Sequence, residues 1–383
     1  MKKRMVAIAM MVSVSLSLWA CGTGTQGGTA VSEEESADGV GAEAGEESAD
    51  GADEEAGEDA SADGADAEGG EDSSAKDAAS KEEITFVLDW TPNTNHTGIY
   101  EAIEKGYYAD EGLEVSVVQP PDDGAEMLVG SGRAEFGVSF QDTLASALVG
   151  DYALPIQAVA AIEQHNTSGV LSREGEGITS PAKLEGKKYA TWGLPIENAM
   201  MQNVLKADGG DFDKVEVIPT TVTDEASALS SHTYDAIWVY YGWAGIGCNV
   251  AGVPTDFWAF KDVNPVFDYY TPVLIANNTF LEEHPDTAKA FLRATAKGYE
   301  DAASDPEEAA EILMKENPEL ADNPELVNQS QEYLSKEYIS DADRWGVFDA
   351  DRWNAFYQWL NENDLVDEKI PEDFGFTNEY LPE

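Results

Sequence analysis

Basic residues are scarce in this chain: 22 Lys and Arg stand against 75 Asp and Glu, giving a formal net charge of −53. A surface of that sign repels a phosphate backbone and excludes nucleic acid as a partner. Cysteine is nearly absent. Cys21 and Cys248 are the only two, and with Cys21 in the leader the body has neither an intramolecular disulfide nor a cysteine-based metal site. Histidine is almost as rare, and His96 and His165 come without the local carboxylate pattern that a metal site needs. No internal repeat of solenoid length is present either.

What the chain does have falls into three materials. Lys2-Lys3-Arg4 followed by the apolar run Met5 to Leu18 reads as a secretory signal, too short to span a bilayer comfortably. Leu18-Trp19-Ala20-Cys21-Gly22 resembles a bacterial lipobox, which implies that residues 1–21 are a leader and that Cys21 is lipidated, anchoring the protein outside the cytoplasmic membrane. Ordinary signal cleavage near Cys21 is the alternative. Residues 22–81 then form an acidic tether: between residues 31 and 80 there are 19 Asp and Glu against the single Lys76, with no aromatic residue. So little apolar surface does not offset the chain entropy lost on folding, and the like charges extend the segment. Ion capture is the rival reading, but the ordered Asp/Asn/Gly spacing of a calcium loop is missing.

The remaining 300 or so residues alternate strand-like and helix-like runs. Ile84 to Leu88 is a short β-branched and aromatic strand. Asp89 to Thr97 is a polar loop interrupted by Pro92, and a helix follows from about Thr97, closed by Gly106. Further strands are expected at Leu113–Val118, Phe136–Phe140, Pro155–Ile162, Lys188–Thr191, Val215–Ile218, Tyr234–Tyr241 and Tyr269–Ala276. Helices are expected at Gly124–Gly130, Gln141–Leu148, up to Ala207 from the Trp192–Glu197 turn, Phe280–Tyr299, Pro306–Leu313 and Arg344–Leu360. This alternation predicts an α/β fold with largely parallel sheets. Two lobes are expected, residues 82–170 with 272–383 and residues 171–271, joined by two crossings near Val170 and Pro272. A ligand would lie where strand ends of both lobes meet.

The loops carry a resemblance. LDWTPNTNHTGIY, KGYYADEGL, VGSGRAEFGVSFQD, IEQHNTSGV, LEGKKYATWGLPIE, WVYYGWAG, DYYTPVLIANNTF and the terminal TNEYLP are similar to the thiamine-pyrimidine-precursor branch of periplasmic binding proteins, relatives of the fungal pyrimidine-precursor synthase (NMT1/THI5-like). The resemblance covers nearly all of residues 83–383. It implies the two-lobed type II periplasmic-binding-protein fold, a monomer serving an ABC permease and its ATPase subunits, and a ligand of the hydroxymethylpyrimidine or formylaminopyrimidine type. Riboflavin or another flat heterocycle is the alternative ligand. The enzyme branch pairs a lysine that holds pyridoxal phosphate with a histidine four positions later. Here those positions hold Ser139 and Thr143, and Phe267-Asp268-Tyr269-Tyr270 stands where the enzyme has a cysteine cluster. The expectation is a binder without cofactor or metal. A purely structural surface protein, with no ligand at all, is the third possibility.

A flat, uncharged ring needs aromatic faces and a few fixed polar partners. Strand-end loops offer Trp90, Trp192, Tyr240, Tyr241 and Trp243 as faces, and Asp89, Asn93, His96, Gln141, Asn166 and Glu197 as partners. The sharpest expectation stacks the ring between Trp90 and Tyr241 or Trp243, with Asn93 and Glu197 at its edge. Asp89 serves equally well as a loop cap, and His96 as loop structure. Trp238, Trp345, Trp353 and Trp359 read as core. A helix turn at Gly193–Glu197 would favour phosphate, but Glu197 repels it, which points to a neutral ligand.

Overall fold

The computed structural model describes residues 81–383; the leader, Cys21 and the acidic tether expected from the sequence lie outside the described residues. Ten strands form two five-stranded sheets. The first contains β1 (Glu82–Val87), β2 (Leu113–Val118), β3 (Phe136–Ser139), β4 (Ile156–Ala161) and β10 (Val273–Asn277) in the order β2-β1-β3-β10-β4. The second contains β5 (Ser168–Arg173), β6 (Lys188–Thr191), β7 (Glu216–Pro219), β8 (Ala236–Tyr240) and β9 (Thr255–Ala259) in the order β7-β6-β8-β5-β9.

Each sheet is parallel except for one strand. β10 runs antiparallel to β3 and β4, and β5 runs antiparallel to β8 and β9. Both are the strands that arrive directly from the other sheet, so the chain crosses at residues 162–167 and again at 260–272. The boundary expected near Val170 falls inside β5. β5 and β9 were not expected as strands. SGVLSR and TDFWA are short and half polar, and pairing along β8 and β5 outweighs their weak local preference.

Alternation along the strands splits the first lobe's core. Ile84 and Phe86 of β1 face one cluster with Phe136 and Phe291, whereas Val87 faces another. That second cluster runs on through Trp238 and Trp258 of the second sheet and Phe260 just past β9 to Phe267, Tyr269 and the helix Ala350–Glu362. Tyr269 stacks on Phe356 at 4.1 Å, and Phe267 meets Trp359 edge-on at 4.9 Å. The last long helix therefore clasps the second crossing. It starts at Ala350 rather than Arg344, because Gly346 has φ 87° and Asp349 caps the helix through the Arg352 N–H at 2.8 Å. Trp345 is fully buried outside it, stacked on Tyr299 at 4.5 Å. The single helix expected at Phe280–Tyr299 is two, Asn278–Glu283 and Pro285–Ser304, broken at Pro285. Helix Pro324–Leu334, which the sequence pattern did not single out, packs against both the first-lobe turn Thr94–His96 and the second-lobe segment Tyr241–Val250.

Helix Thr97–Glu104 crosses Pro285–Ser304 at Gly98 and Gly298. A Cβ on Gly298 would lie 2.0 Å from the Gly98 carbonyl oxygen, and one on Gly98 would lie 2.3 Å from the Tyr299 ring. The obstruction is backbone, so no side-chain rotation relieves it. Gly298→Ala is expected to cost about 3 kcal/mol or more, read as a lowered urea midpoint. A midpoint within error of the parent would show that the two helices separate freely.

Candidate ligand site between the lobes

The first-lobe half is built on the loop after β1. Asn93 caps the short turn Thr94–His96: its Oδ1 accepts from the Asn95 N–H at 2.9 Å and its Nδ2 donates to the Thr91 carbonyl at 3.1 Å. The Asn93 backbone N–H donates to His96 Nδ1 at 3.2 Å, which leaves the ring proton on Nε2, 2.6 Å from Asp89 Oδ1. His96 is fully buried and acts as a splint that aims Asp89. Asn93 and His96 thus build the loop. Trp90, 56% exposed, stands clear of it.

Gln141 and Asn166 brace the site from behind. Gln141 donates from Nε2 to the Trp353 carbonyl at 2.9 Å and accepts from the Tyr270 N–H at 2.9 Å. Asn166 joins the two crossings: its backbone N–H donates to Asp268 Oδ1 at 3.0 Å, its Nδ2 donates to the Phe267 carbonyl at 2.8 Å, and its Oδ1 accepts from the Ser168 N–H at 2.8 Å. Every polar side-chain atom of both residues is engaged by the fold. Beside Asn166, His165 donates from Nδ1 to Asp268 at 2.7 Å and from Nε2 to Asp341 at 3.0 Å. Hydrogen bonding to Asp268 raises the imidazole pKa above its ordinary value.

The second-lobe half lies at the ends of β6 and β8. Gly193, at φ 80°, turns the chain so that Pro195 can open the helix Pro195–Ala207. Glu197 in its first turn is only 3% exposed. Its Oε1 accepts from the Tyr189 hydroxyl at 2.8 Å; its Oε2 has no partner among the described residues. Burial, and then the Glu197 charge, push the Tyr189 hydroxyl well above its ordinary range. Trp238 is core as expected, yet its indole N–H is also unpartnered, and its ring lies 5.7 Å from that of Trp192, which is 39% exposed. Together these residues offer an orphaned acceptor, an orphaned donor and an open aromatic face.

The lobes meet at Tyr240. Its ring stacks against Phe140 at 5.8 Å, and its hydroxyl is 3.3 Å from that of Thr271. Burial is the main cause of its strongly raised pKa, followed by the charges of Asp142, Asp89 and Glu163. The charges of three acids that follow β1, β3 and β4 therefore all act on one phenol from β8. Burial also raises Asp142 to about 6 and Glu163 to about 8. Asp142, Glu163, Phe140 and Thr271 were not among the sequence candidates. Asp142 and Glu163 follow strand ends as Asp89 does, and that position was the available signal.

Tyr241 and Trp243 pack at the same end of β8. Tyr241 packs on Phe257 at 4.7 Å and Tyr333 at 5.4 Å, and Trp243 packs into the cluster of Tyr100, Leu313 and Val327. The Ser330 hydroxyl donates to the Gly242 carbonyl and accepts from the Thr94 hydroxyl at 2.6 Å, tying this turn to the first-lobe loop. These rings contribute to the lobe-to-lobe contact. Among the described residues no group of three or more His, Cys, Asp or Glu is placed to hold a metal ion.

Comparison with known proteins fits this architecture. The family model described as NMT1/THI5 like matches residues 93–309. The formylaminopyrimidine-binding protein of Halalkalibacterium halodurans is 29% identical over 79% of this chain and 92% of its own length. The 4-amino-5-hydroxymethyl-2-methylpyrimidine phosphate synthase of Uromyces fabae is 26% identical over 79% of this chain and 88% of its own. Among solved structures, the periplasmic aliphatic sulphonate binding protein SsuA of Escherichia coli superposes with a TM-score of 0.59 at 17% identity, covering 76% of this chain and 90% of that one. That likeness gives the fold, a two-lobed α/β periplasmic-binding-protein architecture.

Proposed function

The chain belongs to the NMT1/THI5-like family, and from that premise we propose that it is an extracytoplasmic solute-binding protein of an ABC importer. Its ligand is an uncharged thiamine-precursor pyrimidine of the hydroxymethylpyrimidine or formylaminopyrimidine type, held by closure of the two lobes. The similarity to a formylaminopyrimidine-binding protein supports the ligand class. The leader sequence supports a lipidated Cys21 that keeps the body near its permease and ATPase partners.

One observation carries the reading: Glu197 Oε2 and the Trp238 N–H are both buried without partners on the second lobe. Leaving either polar group buried and unpaired costs about 1–3 kcal/mol. An aminopyrimidine supplies an N–H to the first, a ring nitrogen to the second, and a flat face to Trp192. The carboxylates of Asp89 and Glu197 together disfavour an anion such as a sulfonate. Contacts that draw on Glu197 from one lobe and Asp89 from the other are complete only when the lobes shut, so ligand shifts the population to the closed form.

The role is binding rather than synthesis. The Ser139 hydroxyl, where the synthase pattern has its lysine, is bonded to Glu126, and Thr143 is exposed. Mass spectrometry of natively purified protein is expected to find a carried pyrimidine, and added pyrimidines are expected to raise the melting temperature. A bound flavin, or the absorbance of pyridoxal phosphate or iron, would refute this assignment.

A further inference from the structure

Glu163 is a buried acid that no cation of the described residues pairs with. It stands one residue beyond Ile162 at the start of the first crossing and is 2% exposed. The Thr167 hydroxyl donates to its Oε2 at 3.0 Å, and Oε1 makes no hydrogen bond among the described residues. Lys261 is the one cation that acts on it, from beyond ion-pair reach, and Glu337 opposes its ionisation. Its charge is felt in turn by Tyr240 from β8, by Tyr299 from helix Pro285–Ser304, and by Tyr333 and Tyr338. The carbonyl of its partner Thr167 accepts from the Tyr241 N–H at 3.2 Å, and the next residue, Ser168, pairs with Tyr240 across β5 and β8, so Glu163 lies where the two lobes meet.

An ionised carboxylate in that enclosure has no adequate compensation. The protonated acid fits, because it sets an O–H donor beside a carbonyl acceptor. A 4-aminopyrimidine presents the complementary pair along one edge, a ring-nitrogen acceptor beside an N–H donor. Resting on the pyrimidine reading above, we propose that Glu163 is a specificity-determining residue whose carboxyl group takes up the ring nitrogen and exocyclic amine of the ligand together.

Burial raises the Glu163 pKa to about 8, so binding that requires the acid is level below that pH and falls roughly tenfold per unit above it. Titration calorimetry from pH 6 to 9.5 tests this with 4-amino-5-hydroxymethyl-2-methylpyrimidine and its analogue lacking the 4-amino group. For the parent protein the amino compound is expected to weaken above pH 8. Glu163→Gln, which keeps a donor beside an acceptor but does not titrate, is expected to bind it with a flat profile in that range. Glu163→Leu is expected to lose roughly 10- to 100-fold toward the amino compound and clearly less toward the analogue, which keeps only the ring-nitrogen bond. A Glu163→Gln profile that still falls above pH 8, or equal losses toward both compounds in Glu163→Leu, would overturn the role of Glu163 while leaving the pyrimidine assignment intact. A parent protein that binds neither compound at any pH would overturn both.

Discussion

Glu197→Leu is expected to abolish most ligand binding while leaving the fold nearly as stable as before. The carboxyl group sits buried with one oxygen bonded to Tyr189 and the other orphaned. In the empty protein the orphaned oxygen is a liability, because a buried polar atom without a partner costs stability. The change leaves the buried Tyr189 hydroxyl without an acceptor, at a cost of about 1–3 kcal/mol, and removes a comparable penalty at the orphaned oxygen. With ligand present the balance reverses. A charge-assisted bond from an amine to a buried carboxylate is worth about 1.5–3 kcal/mol, and a ligand donor left facing leucine adds to the loss. Calorimetry should therefore show a weakening of about 100-fold or more, with a melting temperature of the ligand-free protein within a few degrees of the parent. Unaltered binding would mean that the ligand lies away from the second-lobe face.

The second large effect is at the crossings. His165, largely enclosed, bridges Asp268 on the second crossing and Asp341 near the C-terminal helix. Both ring nitrogens face carboxylates, so the bridge in full requires the imidazolium. The His165 pKa is raised, chiefly by its bond to Asp268; its stabilisation is fully present below the unfolded value near pH 6.5 and is lost as pH rises through the folded value. The Asp268 pKa is lowered, because the bond from His165 and that ion's charge, helped by the Asn166 N–H and Arg352, outweigh burial. Its stabilisation is present above the unfolded value near pH 3.9 and is lost as pH falls through the folded value. The staple is therefore strongest between about pH 4 and 6.5. His165→Ala should lower stability by about 2–3 kcal/mol in that window, with the gap to the parent narrowing toward pH 9. Melting curves across pH check this, and a gap that stays constant would show that the imidazolium contributes nothing.

How far the sequence reached differs between elements. Helix Pro195–Ala207 was legible because Pro195, the first-turn acid Glu197 and the later apolar spacing all agree. β5 and β9 were not, because SGVLSR and TDFWA become strands by lying beside β8 and one another. Polar residues at strand ends were found as a class, but their assignments were not legible. Asn93, Gln141 and Asn166 have the chemistry of ligand partners and are engaged by the backbone, whereas the charges of Asp142 and Glu163, from the same kind of position, act on the Tyr240 phenol.

The sequence by itself determined the acidic surface, the alternation of strands and helices and the family, because charge, periodicity and loop motifs are local properties of the chain. Only the tertiary structure decided which polar atoms are left without partners, and hence where a ligand is wanted. That depends on what every neighbouring group already bonds to: Tyr189 takes one oxygen of Glu197, and nothing in the fold takes the other.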